Sequence, residues 1–478
     1  MDGVMTRQEY QDDTGAGAIG APGTGGVKVQ ARSAMAGMPC RGRILRRALI
    51  GLVGVLALGA CDKTKVPLPG ERISVLSLDR TLDADSSLAD VKVRLPKPYV
   101  NTDWSQVGGN QTHAMYHLQV ANDQALHEVW SADIGSSADS ENKLLAEPVI
   151  ADGIAYAMDA DSRVSAVDAN SGNHLWQVDL TPDEEDDSLF GGGVAVAEGK
   201  VIVTTPFAKV FALDAKSGKK IWEAQAPSAM RAAPAVSDGR VFAVTLDNQL
   251  VVYALDDGRR LWSNAGVEEA AGLLGGTTPA VQGNVVVAAY TSGDLLAFDV
   301  IAGRSLWSDN LAGKARGDST ATLTDIRGRP VIDRDLLVAV SNGGVMTAIN
   351  IKRGGRLWDA SIGGTQSPWV AGDFIYVLTN QSEVICLQRQ DGRIKWVQNL
   401  PRFQDPETHK EPIYWSGPVL VSDRLLVTGS EGHAVSISPY DGKILGQMEL
   451  PAPTHLPPVV ANQTVYILSD DAQLIALR

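Results

Sequence analysis

Few residues of this 478-residue chain have the types and spacing that catalysis or metal binding requires. His113 and His117 are four positions apart, a spacing that metal sites use on helices, but no third ligand stands nearby. Their segment is typical of a loop leading to a strand, so we interpret both histidines as structural. The acidic run Asp183–Asp187 lacks the spacing of a calcium-binding EF-hand and is interpreted as a solvated loop. Glycines 191–193 are not followed by the Lys-Ser/Thr of a phosphate-binding loop, and a turn is predicted there.

The cysteines are too few for a disulfide framework, since the chain has three. Cys386 lies in a predicted strand, where a small buried hydrophobe is expected rather than a reactive thiol. Cys61 follows a basic cluster at Arg41–Arg47 and a 13-residue apolar run at Ala48–Ala60, in the order of a secretory signal. That run is shorter than the roughly 20 residues that span a bilayer.

The end of this signal, Leu58-Gly-Ala-Cys61, resembles the lipobox of bacterial lipoproteins, whose cysteine is lipidated after cleavage just before it. The resemblance implies a signal peptide at 38–60, a lipidated Cys61 and a tether at 61–100. An ordinary signal peptide that contains a cysteine is the alternative. Residues 1–37 lack apolar periodicity and are expected to be disordered, or to result from a start codon assigned too early, with Met35 or Met38 as the alternative starts.

The composition indicates a folded protein with many turns. The apolar fraction is 44% and the charged fraction 21%, which excludes wholesale disorder. Glycine occurs 48 times, which suits a turn-rich fold. The net charge of -14 argues against a large nucleic-acid-binding surface, so no nucleic-acid partner is expected.

A repeat indicates the elements that must position any site. Three copies have the form Ala-x-Asp-x-x-x-Gly-x-x-x-Trp, as in Ala166–Trp176, and further copies vary it. Gly446 occupies an eighth position without the ring. The run before the Asp predicts a strand, the Asp bonds its own turn, the Gly adopts a positive φ, and the Trp buries its ring between sheets. The seven tryptophans recur at intervals of 38 to 51 residues and are Trp130, Trp176, Trp222, Trp262, Trp307, Trp358 and Trp396.

A four-stranded unit with this period predicts an all-β fold, an eight-bladed β-propeller of four-stranded antiparallel blades. With its N-terminal lead-in, the propeller is expected to span residues 101–478. The chain ends on a strand, Gln473–Arg478, and the Trp130 strand has no complete blade before it. We therefore predict that these two strands pair and close the ring, which removes exposed sheet edges. A seven-bladed ring is the alternative.

The repeat resembles that of quinoprotein-like propellers, and with the lipobox it is similar to the BamB family of lipoproteins of the outer-membrane β-barrel assembly (BAM) complex. Leu68–Val75, Trp104–Gly109 with the two histidines, and the insertion ending in Pro412–Pro418 resemble the alphaproteobacterial branch. The resemblance implies a non-enzymatic scaffold without a cofactor, which assists the assembly and insertion of β-barrel proteins into the outer membrane.

The same resemblance implies the partners and the location. The partners are a BamA-like β-barrel protein, bound through a POTRA domain, other BAM lipoproteins, unfolded outer-membrane clients, and the membrane through the lipid anchor. The implied location is the outer membrane, facing the periplasm. Asp62 resembles the inner-membrane retention signal of enteric bacteria, so inner-membrane retention stays the alternative.

Two loops resemble the partner-binding loops of that family. Ser228–Pro234 is similar to the arginine-bearing loop and Thr324–Pro330 to the aspartate-bearing loop. The resemblance implies partner binding at four residues, which are Met230, Arg231, Asp325 and Arg329. Arg327 stands where the family has a second acidic residue, so half of the site departs from the pattern. A solvated loop tip is the alternative for the charged residues.

The rival class is a dehydrogenase dependent on pyrroloquinoline quinone, which shares the blade motif. In its alcohol-dehydrogenase branch the quinone lies near a disulfide between adjacent cysteines, and this chain has no Cys-Cys pair. We therefore predict no enzyme activity. Three tryptophans are out of register, namely Trp104, Trp369 and Trp415; packing under loops and a place at an interface both stay open for them.

Overall fold

The computed structural model describes residues 82–121, 126–139, 142–183, 189–269, 272–313 and 323–478. The predicted signal peptide, Cys61 and the tether as far as residue 81 lie outside these ranges. Within them the chain forms 34 strands and one short 3-10 helix, Ser86–Leu88. No helix in the described ranges is long and apolar enough to cross a membrane.

Eight sheets of four antiparallel strands form the blades, and a separate hairpin lies between blades 6 and 7. Blade 1 consists of β2 Val149–Ala151, β3 Ile154–Met158, β4 Arg163–Asp168 and β5 His174–Asp179, and blade 2 of β6 Gly193–Ala197, β7 Lys200–Thr204, β8 Lys209–Asp214 and β9 Lys220–Gln225. Blade 3 consists of β10 Ala235–Ser237, β11 Arg240–Val244, β12 Gln249–Ala254 and β13 Arg260–Ala265, and blade 4 of β14 Ala280–Gln282, β15 Val285–Ala289, β16 Asp294–Asp299 and β17 Ser305–Asn310. Blade 5 consists of β18 Val331–Asp333, β19 Leu336–Val340, β20 Met346–Asn350 and β21 Arg356–Ala360, and blade 6 of β22 Trp369–Ala371, β23 Phe374–Leu378, β24 Glu383–Gln388 and β25 Ile394–Asn399. Blade 7 consists of β28 Trp415–Val421, β29 Arg424–Gly429, β30 His433–Ile437 and β31 Ile444–Glu449, and blade 8 of β32 Val459–Ala461, β33 Thr464–Leu468, β34 Gln473–Leu477 and β1 Glu128–Asp133. The hairpin consists of β26 Phe403–Asp405 and β27 Lys410–Pro412.

The eighth blade closes the ring with both predicted strands. β1 pairs antiparallel with β34, and Trp130 lies opposite Ala476. The backbone groups of His127 and Arg478 also bond to each other in both directions. The predicted eight-bladed fold and its closure are therefore confirmed, and the seven-bladed alternative is wrong.

Burial follows the position of a strand in its blade. The inner strands are apolar and almost wholly buried, as in β7, because neighbouring blades cover both of their faces. The outermost strands alternate between exposed and buried residues, as in β9, where Trp222 is buried and its neighbours are exposed. The core consequently lies between adjacent blades.

The repeated tryptophan is a wedge between blades, and the turn glycine makes room for it. Trp176 Nε1 donates to the Ala215 carbonyl of the next blade at 2.9 Å. A Cβ at Gly218, where φ is +70°, would come within 2.7 Å of the Trp176 ring. The glycine therefore has a second purpose besides the turn, since any side chain there would displace the ring of the preceding blade.

Gly446 of β31 occupies the tryptophan position of blade 7, next to blade 8, in which β1 and β34 pair. It pairs with Ser436 in the register of the tryptophans, and a Cβ there would meet no atom within 4 Å. The neighbouring blade 8 has no hairpin between β34 and β1, so it offers no turn glycine against which a ring would stack. The missing tryptophan thus follows from the way the ring closes.

A segment before the first complete blade, residues 99–120, lines the central channel; we call it the inner segment. It bonds to the innermost strand, or to the turn after it, in all eight blades. The pairs, in chain order of the segment, are Asn101 with Val460 and Asn462, Trp104 with Ile150, Ser105 with Val196, Gln106 with Val236, Gln111 with Val281, Thr112 with Ile332, Tyr116 with Trp369, and Leu118 with Leu420 and Ser422. The segment therefore holds the inner edges of the blades together.

Residues 82–98 belong to the segment for which a tether is predicted, and they contact the propeller. The Asp85 N–H donates to the Ile394 carbonyl, and Lys395 Nζ donates to the Leu88 carbonyl at 2.6 Å. Leu88 and Val93 are buried. This part of the chain consequently packs on the propeller next to blade 6.

Candidate functional site

One face of the ring carries the loops that join each blade to the next. Strand directions alternate within a blade, so these loops and the turns between second and third strands reach the same end of the sheets. We call this end the interblade face. Arg231 precedes β10 and Asp325 precedes β18, so the structure places both on it. Residues about one hundred positions apart in the sequence thus lie on one surface.

The loop that carries Arg231 is anchored in the core by the neighbouring Met230. The Met230 side chain is fully buried in the core between blades 2 and 3, so Met230 supports the loop and cannot itself contact a partner without leaving the core. The Met230 N–H donates to the Thr205 carbonyl at 3.2 Å. The Arg231 guanidinium lies 5.8 Å from the centre of the Phe190 ring. In the described part of the chain Arg231 has no carboxylate partner.

The glycine run beside this loop is a close-packing segment. Residues 191 and 192 are not in a turn, and residue 193 already begins β6, so the predicted turn is wrong. A Cβ at Gly191 would lie 3.1 Å from the Arg231 Cα, and one at Gly192 would meet the Thr204 carbonyl oxygen. Gly191 and Gly193 are needed because the segment before blade 3 approaches closely here, and Gly192 because the end of β7 in blade 2 lies against it.

Arg231 and Asp325 line the same cleft, which has a volume of about 450 Å³ and lies between blades 3, 4 and 5. Asp325 is only 2% exposed, so the solvated loop tip is wrong for this residue. Its Oδ2 accepts the Leu273 N–H at 2.6 Å, and its Oδ1 has no hydrogen-bond partner among the described residues. Burial raises the pKa of Asp325, and the charge of Glu269 adds to this effect. Asp325 thus positions the loop between blades 3 and 4, which contains Leu273.

Exposed apolar side chains border the cleft. Leu246 is 41% exposed and Leu274 is 38% exposed, and both are in loops of the interblade face. The Leu246 N–H donates to the Ala229 carbonyl, which ties its turn to the Arg231 loop. Neither leucine was predicted, because a single leucine in a loop has no periodic pattern; its place beside a charged loop is the sole sequence signal.

Arg329 is engaged inside the protein. Its Nη1 lies 2.5 Å from Oε1 of Glu147, and both side chains are largely buried. Glu147 precedes blade 1 and Arg329 precedes blade 5, so the ion pair joins blades on opposite sides of the eight-membered ring. Arg329 therefore spans the channel, and it would have to give up this pair in order to bind a partner.

The two histidines face different groups, and each ring bonds to a backbone carbonyl. His113 Nδ1 donates to the Pro330 carbonyl at 2.8 Å. His117 Nδ1 donates to the Pro96 carbonyl at 2.8 Å, and its Nε2 accepts the Asp423 N–H. No cluster of three metal-binding side chains occurs within the described ranges. Of the acidic run, Asp183 alone is described.

Two of the out-of-register tryptophans are packing residues. Trp104 and Trp369 are buried and stack with ring centres 6.5 Å apart. Trp415 is half-buried, and its Nε1 donates to the Pro401 carbonyl. Cys386 is fully buried, as expected for a small hydrophobe in a strand, and burial raises the pKa of its thiol far above the ordinary value.

Comparison with known proteins adds a family to this geometry. The sequence profile of a family described as outer membrane protein assembly factor BamB matches residues 160–398 and 404–478. BamB of Alkalilimnicola ehrlichii is 28% identical over 157 residues, which cover 33% of this chain but only 39% of that relative. The crystal structure of BamB from Moraxella catarrhalis superposes with a TM-score of 0.63 at 19% identity, over 74% of this chain and 100% of that one. Quinohemoprotein alcohol dehydrogenase from Comamonas testosteroni gives 0.61 at 14% identity, over 79% of this chain and 80% of that one. The two structures have nearly equal TM-scores, and both similarities establish the fold alone.

Proposed function

Because the chain belongs to the BamB family of outer membrane protein assembly factors, we propose that it is a non-enzymatic scaffold that binds a POTRA domain of a BamA-like protein. In this role the lipid on Cys61 anchors it in the outer membrane, facing the periplasm, beside other BAM lipoproteins. Retention in the inner membrane through Asp62 is the alternative location. Unfolded β-barrel clients are a further partner on this proposal.

One observation carries the proposed binding site. The Arg231 guanidinium stands at a cleft of the interblade face without a carboxylate partner in the described ranges, and Leu246 and Leu274 are exposed beside it. Arginine makes bidentate, charge-assisted bonds to carboxylates and is enriched among the residues that dominate interfaces. Apolar groups beside it supply area that excludes water. The cleft therefore has the composition of the centre of an interface.

The other residues implied by the family resemblance have different tasks in this proposal. Met230 anchors the loop from the core, and Asp325 holds the Leu273 N–H and so places Leu274. Arg329 is occupied by Glu147. Arg231 is thus the residue that contacts the partner, whereas Met230 and Asp325 position the surface around it.

The test compares Arg231→Ala with Arg353→Ala for binding to purified POTRA domains of the BamA protein from the same organism. Arg353 is an exposed arginine in the turn between β20 and β21, at the opposite face of the ring. Arg353→Ala therefore removes the same charge as Arg231→Ala, but far from the proposed site. Loss of a residue that dominates an interface costs about 2 kcal/mol or more, which is roughly a thirtyfold loss of affinity. We expect this loss for Arg231→Ala in calorimetry and none for Arg353→Ala.

Substitutions of Asp325 separate positioning from contact. Asp325→Asn keeps an oxygen for the Leu273 N–H and removes a buried charge, so binding is expected to persist, whereas Asp325→Ala is expected to weaken it. If the folded Arg231→Ala/Asp325→Ala protein captures the POTRA domains as well as wild type, the site is wrong, and the scaffold role would then require another face.

The alternative of a quinone-dependent dehydrogenase has no specific support. The fold is common to both classes, since the two structural similarities have nearly equal TM-scores. The adjacent cysteines of the alcohol-dehydrogenase branch are missing from this sequence. The family match therefore favours the scaffold over the dehydrogenase.

A further inference from the structure

The mouth of the central channel is a second cavity of the interblade face. Its volume is about 590 Å³, and its lining comes from loops that precede six of the eight blades, together with Val107 of the inner segment. Because the inner segment lies across the channel beneath these loops, the cavity is a cup that opens on the interblade face. We call it the channel cup.

The channel cup has an excess of positive charge. Arg231, Arg327 and Arg329 line it, and Glu147 is the one acidic residue of its lining. Glu147 is already paired with Arg329. Two guanidinium groups therefore face the cup without a carboxylate, as far as the described residues show.

Arg327 is held in place by backbone contact rather than by a partner charge. A Cβ at Gly275 would lie 2.9 Å from Arg327 Nε, so the side chain rests directly against the Gly275 backbone, where φ is +105°. Burial lowers the pKa of Arg327, and the charge of Arg329 lowers it further, whereas Glu147 opposes this effect. Since an arginine remains charged in proteins, Arg327 is a half-buried cation that an anion would stabilise.

The pair that spans the channel also has free bonding capacity. Glu147 Oε2 and Arg329 Nε are buried without a hydrogen-bond partner in the described part of the chain. A buried polar group without a partner is costly, and such groups mark places where a ligand or water completes the bonding. Arg329 lines the same cup as Arg327, but its Nε has almost no accessible surface and its Nη1 is paired with Glu147.

From this arrangement we propose that the channel cup binds carboxylate groups, with the Arg327 guanidinium as the principal contact. The planar fork of a guanidinium matches the two oxygens of a carboxylate. Hydroxyl and amide side chains of Thr365, Gln366 and Ser367 form part of the wall and suit the polar remainder of a ligand. The carboxylate belongs either to a small free acid or to an acidic residue of a bound protein. The cup shares Arg231 and Arg327 with the cleft of the proposed POTRA site, but binding of a free carboxylate requires no POTRA domain.

The experiment titrates the full chain, purified in detergent, with three probes by calorimetry. Succinate represents a free acid, the capped peptide acetyl-Gly-Glu-Gly-Glu-Gly-amide represents an acidic protein segment, and inorganic phosphate represents another anion class. Binding of succinate alone indicates a small acid, and binding of the peptide alone indicates a protein ligand; both results support the proposal. Absence of binding by both carboxylates, or tighter binding of phosphate than of either, overturns it.

Four variants locate the site. Arg327→Ala is expected to weaken carboxylate binding at least tenfold, and Arg327→Lys should restore part of it, whereas Arg353→Ala should have no effect. Glu147→Gln removes the acidic side chain of the lining but keeps an amide for Arg329, so it should strengthen binding several-fold. Circular dichroism and melting temperature show that each variant is folded. Unchanged affinity in folded Arg327→Ala refutes the site. Because POTRA binding is measured separately with Arg231→Ala, failure of either proposal is visible without the other.

Discussion

The contact between Trp222 and Gly258 allows a direct test of the wedge between blades 2 and 3. Trp222 is buried, and its Nε1 donates to the Leu255 carbonyl at 2.9 Å. A Cβ at Gly258 would lie 2.5 Å from the ring, and φ of Gly258 is +72°. Gly258→Ala thus adds one methyl group where both the backbone and the ring resist it.

The size of each effect follows from these contacts. Trp222→Ala removes a large buried ring and should cost about 3–5 kcal/mol. Gly258→Ala should cost about 1–2 kcal/mol for the left-handed backbone and about 1–3 kcal/mol more for displacing the ring. In a protein that already carries Trp222→Ala, Gly258→Ala no longer displaces a ring, so only the cost of the left-handed backbone remains. The double mutant should consequently be more stable than the sum of the single effects predicts, by about 1–3 kcal/mol.

Gly239→Ala is the matched control, because Gly239 is in the same blade, has a φ of +69° and has no atom within 4 Å of an added Cβ. Its cost measures the left-handed backbone alone. Urea unfolding followed by circular dichroism gives the free energy of unfolding for all variants. Additive effects at Trp222 and Gly258, or equal costs for the two glycine variants, would refute the wedge.

Three further predictions concern pH, processing and chemistry. Burial, with a smaller effect from the Arg329 charge, lowers the pKa of His113 from 6.5 to about 3, so the unfolded chain gains a proton below pH 6.5 that the folded chain does not. Between pH 6.5 and 3, His113 should therefore lower the free energy of unfolding by about 1.4 kcal/mol for each unit by which the pH falls. His113→Asn should reduce this dependence of the unfolding free energy on pH, as measured by urea unfolding. An unchanged dependence contradicts the prediction. Cys61→Ala should block lipidation and leave an uncleaved or soluble form, and mass spectrometry showing an unmodified mature N-terminus elsewhere would exclude the lipobox. Reconstitution with pyrroloquinoline quinone and calcium should give no dye reduction with alcohols or sugars, and robust turnover would overturn the scaffold role.

The candidate site was predictable in part. The loops of Arg231 and Asp325 were identified through family resemblance, and the structure places both on one cleft. Their division of labour was not predictable, because burial of Met230 and Asp325 depends on how neighbouring blades pack. The turn expected at residues 191–193 was wrong for a related reason. Consecutive glycines permit a turn, but here they permit close packing of two backbones, and the local sequence is the same in both cases.

The sequence by itself determined the blades. The strand pattern, the turn Asp and Gly, and the tryptophan act within about 45 residues of one another, so the repeat encodes eight units and the strands that close the ring. Tertiary structure alone decided what occupies the channel. The inner segment bonds to all eight blades, and Glu147 meets Arg329 at a distance of 182 residues in the sequence. Such contacts arise when the closed ring brings opposite blades together. They cannot be predicted from the residue pattern of a single strand or turn, because that pattern depends on local structure alone.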